Sequence, residues 1–159
     1  MVIEFAPIGI IHTPHKQRDG MPIQPPGAAG MHGTVEVFEE YQAGLKDLDG
    51  FSHIILLYHF HEAGDSTLLV TPFMDTEPRG LFSTRAPKRP NAIGLSVVRL
   101  VSVEGGQLEV ESVDMLDRTP LLDIKPYVPE FDSPPAVRTG WLEHVRKTVS
   151  ERRSDNRFE

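Results

Sequence analysis

Pro87 and Pro90 stand immediately before a β-branched, mostly apolar run from Ile93 to Val103. Each proline removes a backbone donor and drives the residue before it out of the α region. The stretch from Thr84 to Asn91 is therefore neither a helix nor a central strand. The run that follows it reads as a strand. The same punctuation recurs along the chain, where fourteen prolines and thirteen glycines break 159 residues into short runs. No strand–helix alternation and no Gly-x-Gly-x-x-Gly is present, which argues against a doubly wound nucleotide-binding fold. The expectation is an all-β (mainly β) fold: a small β-barrel with short helical additions and a C-terminal helix.

Taken in order, Val2 to Ile11 reads as a first strand and His15 to Gly30 as a loop. Gly33 to Phe38 alternates like a strand with one wet face. Glu39 to Leu48 has helical spacing at Tyr41, Leu45 and Leu48, with Gly50 as a stop signal. Phe51 to His61 is the most apolar run and reads as a buried strand. Leu68 to Thr71 and Gly80 to Ser83 are short strand material. Val97 to Val103 and Leu108 to Val113 form a hairpin, with Gly105-Gly106 supplying the positive φ of the turn. Leu121 to Ile124 is a further short strand. From Ala136, Val137, Trp141, Val145 and Val149 recur at helical spacing, with Ser133 as N-cap. The division expected is a barrel domain over residues 1–132, then a helix and charged tail over 133–159.

Charge and composition narrow the function. The chain is net −7, which weighs against a protein that coats long nucleic acid. Yet Leu81 to Val103 holds Arg85, Lys88, Arg89 and Arg99 and no acidic residue. A rigid cationic loop on an acidic protein suits an anionic ligand; the alternative is a solvated loop. The absence of cysteine excludes disulfides and thiolate metal sites. The N-terminus lacks a signal-peptide pattern, and no apolar run approaches the ~20 residues of a membrane span. A cytoplasmic protein is expected. His53, His59 and His61 share a parity on one strand, but His53 would lie ~20 Å from His61. No metal site is expected, and these histidines read as residues of a barrel rim.

The pattern T-R-x-P-x-R-P-N-x-I-G-L-S from Thr84 to Ser96, followed by Asp114-Met115-Leu116-Asp117-Arg118-Thr119-Pro120-Leu121-Leu122-Asp123-Ile124-Lys125-Pro126-Tyr127, resembles the TrmO family of S-adenosylmethionine-dependent tRNA methyltransferases. The resemblance runs from about Ile8 to Asp132. It implies a β-barrel methyltransferase acting as a homodimer, with the cofactor near the subunit interface. The reaction implied is N6-methylation of threonylcarbamoyladenosine beside the tRNA anticodon. Many such proteins have an extra C-terminal domain, for which 159 residues leave no room.

Carried over position by position, the resemblance implies S-adenosyl-L-methionine contacts at Gln24, Phe60, His61, Arg85, Leu95, Asp117, Arg118, Thr119 and Pro120. Arg85 would hold the cofactor carboxylate. Two positions depart from the family pattern: Ile23 stands where arginine is common, and Arg118 where glycine is. Glycine favours positions of positive φ or close ligand approach. Lys88, Arg89, Asn91 and Arg99 are candidates for tRNA contact, Asn91 having a loop-stabilising alternative. Asp114, Lys125 and Tyr127 are the candidate catalytic groups. Against that, the Asp114 and Asp117 side chains can cap loop donors, and Asp123 and Lys125 can form a buried structural pair. The rival functions are methylation of another RNA or a small molecule, and S-adenosylmethionine binding without catalysis.

Overall fold

The computed structural model describes residues 1–21, 25–73 and 75–145. Eight strands form among the described residues: β1 (Gly9–His12), β2 (His32–Val37), β3 (His53–His59), β4 (Leu69–Val70), β5 (Arg79–Gly80), β6 (Ile93–Glu104), β7 (Gln107–Glu111) and β8 (Thr119–Pro126). Six close into an antiparallel barrel in the order β1-β2-β7-β6-β3-β8, and β4 pairs with β5 as a separate two-stranded sheet. Closure leaves no open sheet edge in the barrel.

Period-two alternation builds the core. Ile11, Val35, Val37, Ile54, Leu56, Tyr58, Val98, Leu100, Leu108, Val110 and Leu121 point inward and are buried. Each such aliphatic side chain contributes about 1.5–3 kcal/mol through its burial. β6 and β7 join at Glu104↔Gln107, and Gly105 takes φ 59° in that turn. Two irregularities bend the wall, at Leu57/Tyr58 between β3 and β8 and at Leu100/Ser102 between β6 and β7.

Several expected elements differ. The first strand starts at Gly9, and Met1, Val2, Ile3 and Phe5 are exposed rather than packed. Glu39–Leu45 and Leu48–Gly50 are two 3₁₀ turns instead of one helix. They bury Leu45 and Leu48 against the barrel while Tyr41 stays at the surface. Of the 80–83 region only Gly80, the end of β5, is strand, and Leu81–Ser83 tightens into a 3₁₀ turn.

The helix expected from Ala136 does not form over the described residues. The chain makes a short helix α1 (Pro129–Asp132), and Ser133 ends it by donating its N–H to Pro129 O instead of capping a new one. A 3₁₀ turn follows at Gly140–His144. Val149 and the charged tail lie outside the described residues. Among those described, no helix is long and apolar enough to cross a membrane.

Candidate functional site

Tyr58 on β3 and Ser96 on β6 both face the barrel interior, and Asp114 follows β7 in the loop that leads to β8. Tyr58 Oη and Ser96 Oγ lie 2.9 Å apart, and Ser96 Oγ donates to Asp114 Oδ1 at 2.6 Å. The two long sequence motifs thus meet at one hydrogen bond, since Ser96 ends the first and Asp114 begins the second. Burial raises the Asp114 carboxyl to about 7, opposed by the Ser96 hydroxyl, its own backbone N–H and the Arg85 charge. Burial and the Asp114 charge also push Tyr58 up, with Ser96 and Arg85 opposing. Arg85 therefore exerts its field on both groups, although it stands on an exposed loop.

Phe60 packs edge-on against Tyr58, with ring centroids 5.5 Å apart. Both rings lie over Gly94. A Cβ there would enter the Tyr58 ring and come within 2.9 Å of Phe60 Cζ. This close approach explains the glycine in the first motif. Phe60 N donates to Ala92 O at 2.8 Å, tying the end of β3 to the start of β6.

The cationic loop is braced from within. Thr84 Oγ1 donates to Leu81 O at 2.7 Å, and Ala86 N donates to Thr84 Oγ1 at 3.3 Å. Arg89 Nη1 donates to Thr84 O and Ala86 O, both at 3.1 Å, and its guanidinium lies 5.8 Å from the Phe82 ring centroid. Arg89 thus stitches the loop rather than simply facing solvent. Lys88 is half-buried and Asn91 exposed on the same loop. Arg99 lies apart, opposite His53 at the far end of β3, and donates to Glu111 Oε2 at 2.8 Å.

The remaining candidates separate. Leu95 is 44% exposed on the outer wall, opposite Leu57. His61 is exposed beyond the end of β3. Asp117 joins the loop to the segment after β1: Oδ1 accepts the Thr13 N–H at 2.9 Å, and Oδ2 pairs with Lys16. Burial opposes its ionisation, but Lys16, the Thr13 N–H and His12 together hold its carboxyl below the usual range. Arg118 adopts φ 63°, a conformation that favours glycine. Thr119 is buried and donates to Leu116 O at 2.7 Å, while Pro120 pairs with Ile10. Gln24 lies outside the described residues.

Of the catalytic candidates, only Asp114 sits with Tyr58 and Arg85. Lys125 Nζ pairs with Asp123 Oδ2 at 2.8 Å on the exposed wall, so this pair is not buried. Tyr127 follows β8 and stacks edge-on with His53 at 6.4 Å. His53 and Tyr58 are five residues apart on one strand, roughly 17 Å. Tyr127 and Asp114 thus belong to opposite ends of the barrel. Among the described residues, no cluster of three or more His, Cys, Asp or Glu can hold a metal ion. An open groove of about 570 Å³ runs past His12, Lys16, His32, Glu109 and Asp117, without Arg85, Phe60 or Asp114 on its lining.

Tyr58, Ser96 and Gly94 lie against Asp114 and Phe60, and motif reading passed over them. A signal for Ser96 exists: it is a hydroxyl at an inward parity of an apolar strand, and such a group needs a buried partner.

A closed six-stranded antiparallel barrel, with the part-buried Asp114 carboxyl bonded to Ser96 and within the field of Arg85, defines an all-β barrel protein. Residues 10–133 match the tRNA-methyltransferase O N-terminal domain. The chain belongs to this TrmO family. It is 56% identical over 158 residues to a probable S-adenosyl-L-methionine-binding protein of Pyrococcus abyssi, covering 99% of this chain and 86% of that one. It is 37% identical to the human tRNA (adenine(37)-N6)-methyltransferase, over 91% of this chain but 36% of the human protein. The crystal structure of TrmO from Pseudomonas aeruginosa superposes with a TM-score of 0.75 at 38% identity, covering 89% of this chain and 63% of that one. The chain thus spans about a third of the human methyltransferase and just under two thirds of the Pseudomonas TrmO chain.

Proposed function

We propose that the protein binds S-adenosyl-L-methionine beside Arg85 and methylates N6 of an adenosine adjoining the tRNA anticodon, most suitably one bearing a threonylcarbamoyl group. The observation that carries this reading is the Ser96–Asp114 hydrogen bond under the field of Arg85, where both family motifs converge. The residues present suit the cofactor: a guanidinium for its carboxylate and the Phe60 ring as an apolar wall. The cofactor supplies an activated methyl group, and the chain has to align the nucleophile with it.

Methylation of N6 also requires a proton to leave the nitrogen. We assign Asp114 as its acceptor. A carboxyl raised to about 7 is half ionised near neutral pH and is a stronger base than an ordinary aspartate. Ser96 Oγ orients the carboxylate. Lys88 is the loop cation we place on tRNA phosphate, since Arg89 is engaged with Thr84 and Ala86. Pairing of two copies is supported by the exposed Ile93 and Leu95 on the outer wall, and sedimentation analysis tests it.

The first experiment is calorimetric titration with S-adenosyl-L-methionine and S-adenosylhomocysteine, using the wild type and Arg85→Ala. Saturable wild-type binding, weakened at least tenfold in the variant, supports the cofactor site. Equal binding by the variant removes Arg85 from it. Methyl transfer is then measured on tRNA with and without the threonylcarbamoyl group. Equal rates would overturn that specificity. A second reading, binding without catalysis, draws on the name of the Pyrococcus relative and predicts cofactor binding with no turnover on either tRNA.

A further inference from the structure

The segment after α1 returns to the motif loop and seats the chain's single tryptophan on it. Trp141 Nε1 donates to Ser83 O at 2.9 Å across 58 residues of sequence. Arg79 lies over the indole, its guanidinium carbon 5.6 Å from the ring centroid. Asp75 anchors that arginine, with its Oδ2 accepting from Arg79 Nε at 2.6 Å and lying 2.6 Å from Nη2. Asp75 Oδ1 in turn accepts the Thr76 N–H at 2.7 Å and the Glu77 N–H at 3.2 Å. Ser83 closes the 3₁₀ turn that begins at Leu81, and its Oγ donates to Gly80 O at 2.8 Å. Two residues further on stands Arg85.

Trp141 lies beyond residue 133, where the match to the family domain ends. The clamp therefore joins a segment outside that domain to the loop that carries Arg85. A carbonyl held by an indole N–H fixes the 81–83 turn, and the Thr84 hydroxyl transmits that geometry by bonding Leu81 O on one side and the Ala86 N–H on the other.

We propose that Trp141 is a positioning residue for Arg85, and that seating of the 140–144 turn and occupation of the Arg85 site reinforce each other. This rests on the proposed cofactor site. The coupling is reciprocal by thermodynamic necessity: if the clamp tightens the ligand, the ligand tightens the clamp. One neutral hydrogen bond and one partly exposed cation–π contact set its scale. Together they set a ceiling of about five- to seventyfold in affinity.

The test uses the intact chain. Calorimetry measures S-adenosylhomocysteine affinity in the wild type, Trp141→Phe and Trp141→Ala. Phe keeps a ring over Arg79 and loses only the donor, so an intermediate loss is expected for it and a larger one for Ala. Both melt within about 3 °C of wild type if the barrel is unaffected. The emission of wild-type Trp141 should also become less accessible to acrylamide as ligand saturates. Unchanged affinity in both variants together with unchanged quenching overturns the inference. If the wild type binds no ligand, the cofactor reading fails by itself. Amide exchange at residues 83–86 then decides the clamp: faster exchange in Trp141→Ala upholds its positioning role, and identical exchange overturns it.

Discussion

Ser96 and Asp114, eighteen residues apart on elements that flank β7, share a 2.6 Å hydrogen bond inside the barrel. The carboxyl is thereby held where burial keeps its proton on to about pH 7. An aspartate in an unfolded chain releases that proton near 3.8.

This difference makes stability depend on pH with a definite sign. Between about 3.8 and 7 the native state binds more protons at Asp114 than the unfolded state, so stability falls as pH rises through that window. Each unit of difference corresponds to roughly 1.4 kcal/mol, giving a total on the order of a few kcal/mol. Asp114→Asn should remove this slope. Urea unfolding of both proteins at pH 4, 6 and 8 should show the variant gaining on the wild type as pH rises; a constant difference would place the carboxyl outside the barrel's influence.

The same group predicts the rate profile. If Asp114 accepts the N6 proton as proposed, methyl transfer should rise with pH and level off above about 7, because only the ionised carboxylate can take it. Asp114→Asn should lower the rate about 10²–10⁴-fold while cofactor affinity changes little. Single-turnover assays at several pH values check this, and a variant that retains both rate and profile would assign the proton to another group.

Gly94 lies beneath Tyr58 and Phe60 with no room for a methyl group. Gly94→Ala should cost about 1–3 kcal/mol through overpacking. Because Phe60 is a proposed cofactor wall, ligand affinity should fall as well. Thermal melts and calorimetry on one preparation separate the two effects.

Arg118 occupies a left-handed conformation at φ 63°, which costs a non-glycine residue about 1–2 kcal/mol. Arg118→Gly should stabilise the fold by roughly 0.5–1 kcal/mol, after the larger backbone entropy of glycine in the unfolded chain is deducted. Arg118→Ala should give no such gain. Equal gains in both would trace the effect to the arginine side chain instead of the backbone.

Asp117 fastens the second motif to the segment after β1 through Thr13 and Lys16. Asp117→Ala should cost about 1–2 kcal/mol at pH 7 by stranding the Thr13 N–H. Lys16→Ala should cost less, because the ammonium is 69% exposed and exposed ion pairs contribute little. The carboxyl is held below its ordinary range, so the wild-type advantage over Asp117→Ala should shrink as pH falls below that range. Denaturation at pH 7 and pH 2.5 measures this.

Local pattern carried much of the fold. The alternation of Thr34-Val35-Glu36-Val37, the Gly105 turn and the β-branched run after Pro90 each specify strand geometry within a few residues, and the strands they predict are present. The two motifs likewise made the family legible before any contact was known, and the match over residues 10–133 bears it out. A family glycine replaced by Arg118 left two readings, a positive φ or a close ligand approach, and the φ of 63° meets the first.

Tertiary structure decided what those patterns left open. Val137, Trp141 and Val145 satisfy a helical template, yet a short stripe needs a face to pack against. The segment instead offers Trp141 to Ser83. Asp123 and Lys125 alternate as a buried pair would, but the outer wall leaves both in reach of water. Asp114, Lys125 and Tyr127 were equivalent as sequence; barrel closure alone brings Asp114 to Ser96 and sends Tyr127 to His53. Residues close in the chain determine backbone geometry, so the strands and turns were readable from the sequence by itself. Which carboxyl is buried, which cation is spent on a carbonyl and which indole finds an acceptor depend on contacts between distant segments, and only the closed barrel makes those contacts.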